Sequence, residues 1–176
     1  MIRNADPDHD AAGCLAVYGP YIRDSAISFE ERVPTEDEFA ARMRATMEMH
    51  PWVVFDTGSE IAGYAYASPH RTRAAYRWAT DVAIYVAAAH QRGGIGRRLY
   101  EALFERLREQ GFRVACAGVT LPNEASVRLH RAVGFEPVGV YRRIGWKSGG
   151  WHDVAWFQLS LLPQDSEPPQ EPGPPR

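Results

Sequence analysis

The sequence predicts an α/β domain in which helices cover both faces of a sheet that is antiparallel in part. Three observations lead there. Helical and strand patterns alternate along the chain. One segment, Leu99 to Leu107, carries an apolar stripe at helical spacing through Leu103 and Phe104. Two adjacent strand-like runs, 52–56 and 60–67, are joined by the turn residues Thr57-Gly58-Ser59, which makes them antiparallel neighbours.

In chain order, 8–21 shows a helix-like face through Cys14, Leu15, Val17 and Tyr18. Pro34-Thr35-Glu36-Asp37-Glu38 is an acid-rich, capped start to a helix reaching about His50. The strand pair follows, then a loop, 68–77, rich in arginine and aromatics. A third strand spans 78–86 and meets Gln91-Arg92-Gly93-Gly94-Ile95-Gly96, where the strongest helix begins; it ends at Gln110-Gly111. A strand is expected over 113–118, a short helix over 124–133, and closing strands over 138–144 and 151–161, with a hairpin turn near Gly149-Gly150. The last fourteen residues, 163–176, hold six of the thirteen prolines, with acids between them, and are expected to be a disordered tail. The domain is therefore 1–162.

Composition excludes several functions. A domain this long can bury roughly 70% of its unfolded surface. No run of about 18 apolar residues exists, so no membrane span or membrane partner is expected. A formal net charge of −2 argues against a nucleic-acid partner held by phosphate neutralisation. The start lacks a secretory pattern, which points to the cytoplasm. Two cysteines, Cys14 and Cys116, make no disulfide framework, and His90 and His152 lack metal-ligand spacing with them, so no metal is expected. Cys116 is read as core. Of the 20 basic residues only Lys147 is a lysine, a bias that suits bidentate contacts but equally fits genome composition.

The glycine turn is the feature with chemistry in it. Glycines after a strand let backbone amides approach an anion, and the helix N-terminus adds partial positive charge. Arg97 and Arg98 occupy a first turn that would otherwise prefer acids. A plain strand–helix connection would look the same. A nucleotide-triphosphate loop is excluded, because Gly96 is followed by Arg97-Arg98 where that loop needs Lys-Ser/Thr; a dinucleotide fingerprint is excluded by Leu99.

The observed form, Gln91-x-x-Gly94-x-Gly96 after Ala83-Ile84-Tyr85-Val86, resembles the acetyl-coenzyme A motif of the GCN5-related N-acetyltransferase (GNAT) superfamily. Ser28-Phe29-Glu30, Ala75-Tyr76-Arg77-Trp78, Leu121-Pro122-Asn123-Glu124, Gly134-Phe135 and Gly150-Trp151-His152-Asp153 resemble its phosphinothricin/methionine sulfone branch, so the likeness spans residues 2–161. It implies a mixed, mostly antiparallel, twisted sheet of about seven strands with helices on both faces. It also implies acetyl-coenzyme A as co-substrate, a small-molecule amine acceptor, and a homodimer formed through the C-terminal region.

Site residues follow from the same resemblance. Ile84, Tyr85 and Val86 would carry the pantetheine arm, while Arg92, Gly93, Gly94, Ile95, Gly96 and Arg97 would hold the pyrophosphate. Asn123 would contact the pantetheine portion; locally it is equally an N-cap. Asp81, an expensive mid-strand carboxylate, is the candidate general base. It stands where the branch usually has glutamate, one methylene longer, so it would act directly or through water. His130 is the second catalytic candidate, as acid or base, or else a packed structural histidine. Phe29, Arg71, Arg73 and Tyr76 would form the acceptor site, since guanidinium groups pair with carboxylate or phosphinate; an arginine-rich loop is also often a solvated face. The expected activity is direct acetyl transfer, in a ternary complex, to the α-amine of phosphinothricin, methionine sulfoximine or methionine sulfone. The rivals are a GNAT enzyme for other amines, such as protein N-termini, and a non-catalytic coenzyme A-binding sensor.

Overall fold

The computed structural model describes residues 1–163 and 169–175. Its elements are β1 (Ile2–Asn4), α1 (Pro7–Arg23), α2 (Glu36–Met47), β2 (Trp52–Asp56), β3 (Ile61–Pro69), β4 (Ala79–Val86), α3 (Ile95–Gln110), β5 (Val114–Thr120), α4 (Glu124–Ala132), β6 (Glu136–Lys147) and β7 (Gly150–Ser160). Single 3-10 turns at Ala74–Tyr76 and Ala88–His90 flank β4. The seven strands form one sheet in the order β1-β2-β3-β4-β5-β7-β6. All neighbours are antiparallel except β4 and β5.

Local chemistry sets the ends of the helices. Asp6 caps α1 by accepting from the Asp8 amide, with Pro7 in the first turn, where a missing N–H costs nothing. Thr35 and Glu38 make a reciprocal capping box on α2. Leu99, Leu103 and Leu107 of α3 are fully buried against Val53, Ala65, Ala115, Ala117 and Phe157. On the opposite face, Cys14, Ile22, Phe39 and Met43 of α1 and α2 cover Trp52, Val54 and Tyr64. The two-residue strand period divides β2 between these cores: Val53 faces α3, Trp52 and Val54 face α1 and α2.

The parallel ladder between β4 and β5 is short. It holds Ala79↔Val114, Thr80↔Ala115 and Asp81↔Cys116, and then stops. Beyond Asp81, β4 continues to Val86 paired only with β3, while β5 continues to Thr120 paired only with β7. The strands part there, leaving a wedge between residues 82–86 and 117–120. Leu129 of α4 closes on its α3 side: a Cβ on Gly96 would meet Leu129 Cδ2 at 3.0 Å and Ile84 Cδ1 at 3.6 Å.

Three features differ from the sequence expectation. β1 has three residues, too few for a hydrophobic period, and exists because Ile2 and Asn4 pair with Phe55 and Val53. β6 runs from 136 to 147 rather than 138 to 144, because its long pairing with β7 tolerates an irregularity between Tyr141 and Gly145. The hairpin turn is Ser148-Gly149, with φ of 52° and 77°, the positive pair that matches strand twist in a two-residue loop. Of the proline-rich tail, 164–168 and 176 lie outside the described residues. Its described part has no helix or strand; the Gly173 amide donates to Gln110 O at 3.0 Å, and Gln110 Nε2 donates to Gly173 O at 2.7 Å.

The α3 stripe generates a direct stability test. Leu103→Ala removes a fully buried side chain from the layer between α3 and the sheet, and is expected to cost about 2–5 kcal/mol in urea unfolding. A loss below about 1 kcal/mol would contradict the assignment of Leu103 to the packed centre.

Candidate active site

The site is built where three backbone features converge. The first is the start of α3. Gly94 is its N-cap, at φ 76°, a left-handed conformation that glycine adopts without strain, and a Cβ there would meet nothing within 4 Å. No side chain caps this helix and its first turn holds no acid, so its leading amides have no side-chain partner among the described residues. Arg92 also lies at positive φ, 65°, and Arg92 and Gly93 are exposed. Ile95 is buried beneath them. Arg97 is exposed and bonded to Glu101 at 2.7 Å, whereas Arg98 turns away to lie over the Phe55 ring at 4.9 Å.

The second feature is the free half of β4. Ile84 and Val86 pack toward the α3 core, and Tyr85 packs on the other face. The Tyr85 ring lies 4.6 Å from that of Tyr18 and 5.2 Å from that of Tyr21. Tyr21 Oη donates to Val86 O at 2.6 Å, joined by Gln91 Nε2 at 3.3 Å, so α1 and the glycine turn grip the strand's end. Across the wedge, Asn123 Oδ1 accepts from the Ser126 amide at 3.1 Å and caps α4, the local role its sequence position suggested.

The third feature is the last rung of the ladder. Asp81 pairs with Cys116 on one side and Ser68 on the other. Its Oδ1 lies 2.6 Å from His70 Nδ1, with side-chain exposures of 27% and 17%. One side-chain donor atom each of His70, Asp81 and Cys116 falls within 4.8 Å of the others. Burial raises the Asp81 carboxyl above its ordinary value, an effect partly offset by the His70 hydrogen bond and the charges of His70 and Arg71. Burial and the Asp81 charge push the Cys116 thiol up to about 11. Cys116 is thus half-buried beside a carboxylate rather than lost in the core, and it stays a thiol at neutral pH.

The acceptor-loop candidates divide. Tyr76, 44% exposed, places its ring edge-on to His70 at 5.7 Å. Arg71 is exposed, with Nη1 donating to His70 O at 2.7 Å, and Arg73 is exposed at the head of the 3-10 turn. Arg77 points elsewhere, stacking over Trp78 at 5.1 Å and pairing with Glu171 of the tail. Phe29, 40% exposed, rests against the β6–β7 hairpin: a Cβ on Gly145 would sit 2.2 Å from its ring. Lys147 secures that loop by donating to Ile22 O at 2.7 Å and Ser28 O at 2.6 Å.

His130 is not brought to Asp81. It is 3% exposed, with Nδ1 2.8 Å from Ser126 O and Nε2 2.9 Å from Tyr100 Oη. Its ring stacks on Phe157 at 5.7 Å. Phe157 pairs with Ala117, one residue along from the Cys116 that pairs with Asp81, so the two catalytic candidates occupy opposite faces of the sheet. A neutral imidazole donating through Nδ1 and accepting at Nε2 satisfies both partners. Burial lowers the His130 pKa, with the Ser126 carbonyl partly opposing. Of the roles the sequence left open for His130, acid, base or packed structural histidine, these contacts describe the packed one: among the described residues His130 pins α4 to α3.

Sequence reasoning passed over His70 and Trp156. The Trp156 ring is edge-on to His70 at 6.3 Å, and its buried indole N–H has no partner among the described residues. Only the pairings Ser68↔Asp81 and Gly118↔Trp156 bring them to one place. A separate cavity of about 680 Å³, lined by His50, Arg106, Gln110 and tail residues, includes none of these groups.

Residues 20–135 match the family model described as the acetyltransferase (GNAT) family. The chain is 37% identical over 167 residues to a phosphinothricin N-acetyltransferase of Streptomyces viridochromogenes, covering 95% of this chain and 88% of the relative. It is 31% identical over 156 residues to an L-methionine sulfoximine/L-methionine sulfone acetyltransferase of Salmonella typhimurium, covering 86% and 91%. Among solved structures, a GNAT superfamily phosphinothricin acetyltransferase from Sinorhizobium meliloti, in complex with acetyl-coenzyme A, superposes with a TM-score of 0.91 at 33% identity over 97% of this chain and 93% of that one.

The buried imidazole makes stability depend on pH. Because folding lowers the His130 pKa, the unfolded chain binds more protons below about pH 6.5, and stability is lost as pH falls through that range. Unfolding free energy is expected to drop between pH 7.5 and 5, by at most about 1.4 kcal/mol per pH unit for this group. In His130→Asn the drop should be smaller, although the variant is less stable at pH 7.5. An unchanged pH dependence would show that His130 is charged or exposed in the native state.

Proposed function

The chain belongs to the acetyltransferase (GNAT) family, and we propose from that premise that it transfers the acetyl group of acetyl-coenzyme A to the α-amine of phosphinothricin, methionine sulfoximine or methionine sulfone. The observation that carries this reading is the parting of β4 from β5 immediately after Asp81, with the open N-terminus of α3 at the strand's far end. A thin chain with a thiol-bound carbonyl at one end and phosphates at the other has that polarity.

When bound, the thioester supplies an acyl carbon with a good leaving group. The protein's part is placement. Amides from Arg92 to Arg97, with Gly93, Gly94, Ile95 and Gly96 leaving the approach clear, would hold the pyrophosphate on the α3 dipole. The edge of Ile84, Tyr85 and Val86 that lies outside the β4–β5 ladder would hold the pantetheine amides, with the Val86 carbonyl already accepting from Tyr21 and Gln91, and Asn123 caps the helix that follows β5. At the other end, Arg71 and Arg73 would pair with the acceptor's acidic groups, and Tyr76 and Phe29 would supply aromatic surface. The unpaired indole N–H of Trp156 is a further donor for an oxygen there. The carboxylate at Asp81 anchors proton removal from the ammonium. Cys116, held as a thiol, is no acyl carrier, which favours direct attack in a ternary complex.

Turnover of acetyl-coenzyme A with methionine sulfone tests the reading, because a coenzyme A-binding sensor would bind the donor without releasing thiol. An enzyme for protein N-termini would instead acetylate peptides and leave methionine sulfone untouched. Gly94→Glu tests the donor half. It puts a carboxylate where the pyrophosphate would lie, and is expected to weaken coenzyme A binding at least 100-fold by calorimetry. Gly94→Ala carries the same backbone strain without the charge and should retain far more affinity. Equal affinities in the two variants would reject the pyrophosphate assignment.

We further place the catalytic domain in residues 1–162, working in the cytoplasm as a homodimer. Both cysteines are free thiols, and no described helix is long and apolar enough to cross a membrane. The edge strand β6 and its hairpin leave Val138, Val140, Ile144, Trp146 and Trp151 between 44% and 65% exposed. An unpaired edge this apolar invites a second copy. Sedimentation equilibrium is expected to give a dimer, and Val140→Lys with Trp146→Lys a folded monomer; a monomeric wild type at tens of micromolar would contradict the assignment.

A further inference from the structure

We propose that His70 is the group that receives the proton from the acceptor amine, and that Asp81 is its positioning residue. The inference rests on the acetyltransferase reading above and assigns its proton path to a residue that neither the motifs nor the relatives' names single out.

The geometry points there in four steps. Asp81 Oδ1 is already taken by His70 Nδ1 at 2.6 Å, so the carboxylate nearest the wedge presents an imidazole to whatever enters. A carboxylate on one ring nitrogen fixes the tautomer and leaves the other nitrogen as acceptor; His70 Nε2 has no partner among the described residues. The ring is also held in place. Tyr76 and Trp156 stand edge-on to it at 5.7 and 6.3 Å, and Arg71 Nη1 donates to the His70 carbonyl at 2.7 Å. Finally, His70 directly follows β3 and its partner Asp81 is the last β4 residue joined to β5, so the pair stands between the wedge and the 71–77 loop.

The neighbouring ionisable groups are poor rivals. Besides Asp81, those facing the pair are Cys116 from β5, Tyr66 from β3, and Arg71 and Tyr76 from the loop. Burial keeps the Cys116 thiol up at about 11 and the Tyr66 hydroxyl at about 12, so neither is a base at neutral pH. His130, the other imidazole considered, has both nitrogens engaged on the far face of the sheet. An imidazole on the tip of the Asp81 carboxylate also extends its reach.

The step balances without redox. An N–H bond of the acceptor ammonium breaks and its proton passes to His70 Nε2, giving an imidazolium paired with the Asp81 carboxylate. The freed nitrogen lone pair forms the bond to the acetyl carbon, and the carbon–sulfur bond breaks with its electrons going to sulfur. The nitrogen sheds a second proton, which ends on the sulfur as thiol, and His70 returns its own proton to water.

The test uses the full chain with acetyl-coenzyme A and methionine sulfone. His70→Ala is expected to lower kcat roughly 10²–10⁴-fold while coenzyme A affinity by calorimetry stays within threefold of wild type, which also shows that the variant folds. Added imidazole should restore at least tenfold of the lost rate, and 4-methylimidazole should do likewise. His70→Gln, which keeps a donor to Asp81 but has no basic nitrogen, should be as slow as His70→Ala. The double variant His70→Ala/Asp81→Ala should be no slower than the worse single one, since the two act as a unit. A His70→Ala rate within threefold of wild type, a loss that imidazole leaves unrestored, or recovery in His70→Gln would each overturn the proposal. Any of those beside normal wild-type turnover defeats this inference alone, whereas a wild type that does not acetylate methionine sulfone defeats the functional reading, and this inference with it.

Discussion

The parallel ladder between β4 and β5 ends after three rungs, and the rest of the site depends on where it ends. A sheet that continued would satisfy its own backbone and leave nothing for a ligand. Here β4 keeps one edge on β3 through Val86, and β5 keeps one edge on β7 through Thr120, so each strand remains rigid while their facing edges are free. Backbone groups on such edges need partners. The same parting puts Asp81 and Cys116 at the apex, where a side chain is half-buried by the sheet and half open to the gap. Chemistry at the apex, amides along the edge and the α3 N-terminus at the far end follow from one break in pairing.

Burial decides which polar groups can work. His130 and His70 are both imidazoles with a hydrogen bond on Nδ1, yet they are in different situations. His130 sits 3% exposed among Tyr100, Phe135 and Phe157, and its second nitrogen is spent on the Tyr100 hydroxyl. His70 keeps a side-chain exposure of 17%, and its Nε2 has no partner among the described residues. The first stabilises a helix contact and the second is free to move a proton. The arginines differ by partner rather than by burial: all four are exposed, but Arg98 and Arg77 lie along aromatic rings, Arg71 bonds the His70 carbonyl, and Arg73 heads the 3-10 turn.

Much of this is legible in the sequence, for identifiable reasons. The α3 stripe, the capping box at Thr35 and Glu38, and the glycine turn are local patterns whose physics acts within a few residues. Asp81 could be singled out because a carboxylate in a strand is costly unless it lines a site. What could not be read depends on long-range register. β1 exists only by pairing with β2, and three residues carry no period. His70 acquires meaning from Ser68↔Asp81, and Trp156 from Gly118, pairings between segments far apart in sequence. His130 reads in the sequence as catalytic or structural alike, because a nine-residue helix does not announce which side the sheet will cover. Cys116 was read as core because its strand is apolar, whereas its own side chain shares the face of Asp81.

The central claim is that the wedge beyond Asp81 receives the donor and delivers its acetyl carbon to the apex. A crystal structure of the full chain with coenzyme A and methionine sulfone tests it most directly. The account predicts pantetheine density between residues 82–86 and 117–120, phosphates on the amides that follow Arg92, and the acceptor amine within hydrogen-bond reach of the His70–Asp81 pair. Coenzyme A bound elsewhere, with β4 and β5 still parted and the wedge filled only by water, would contradict it.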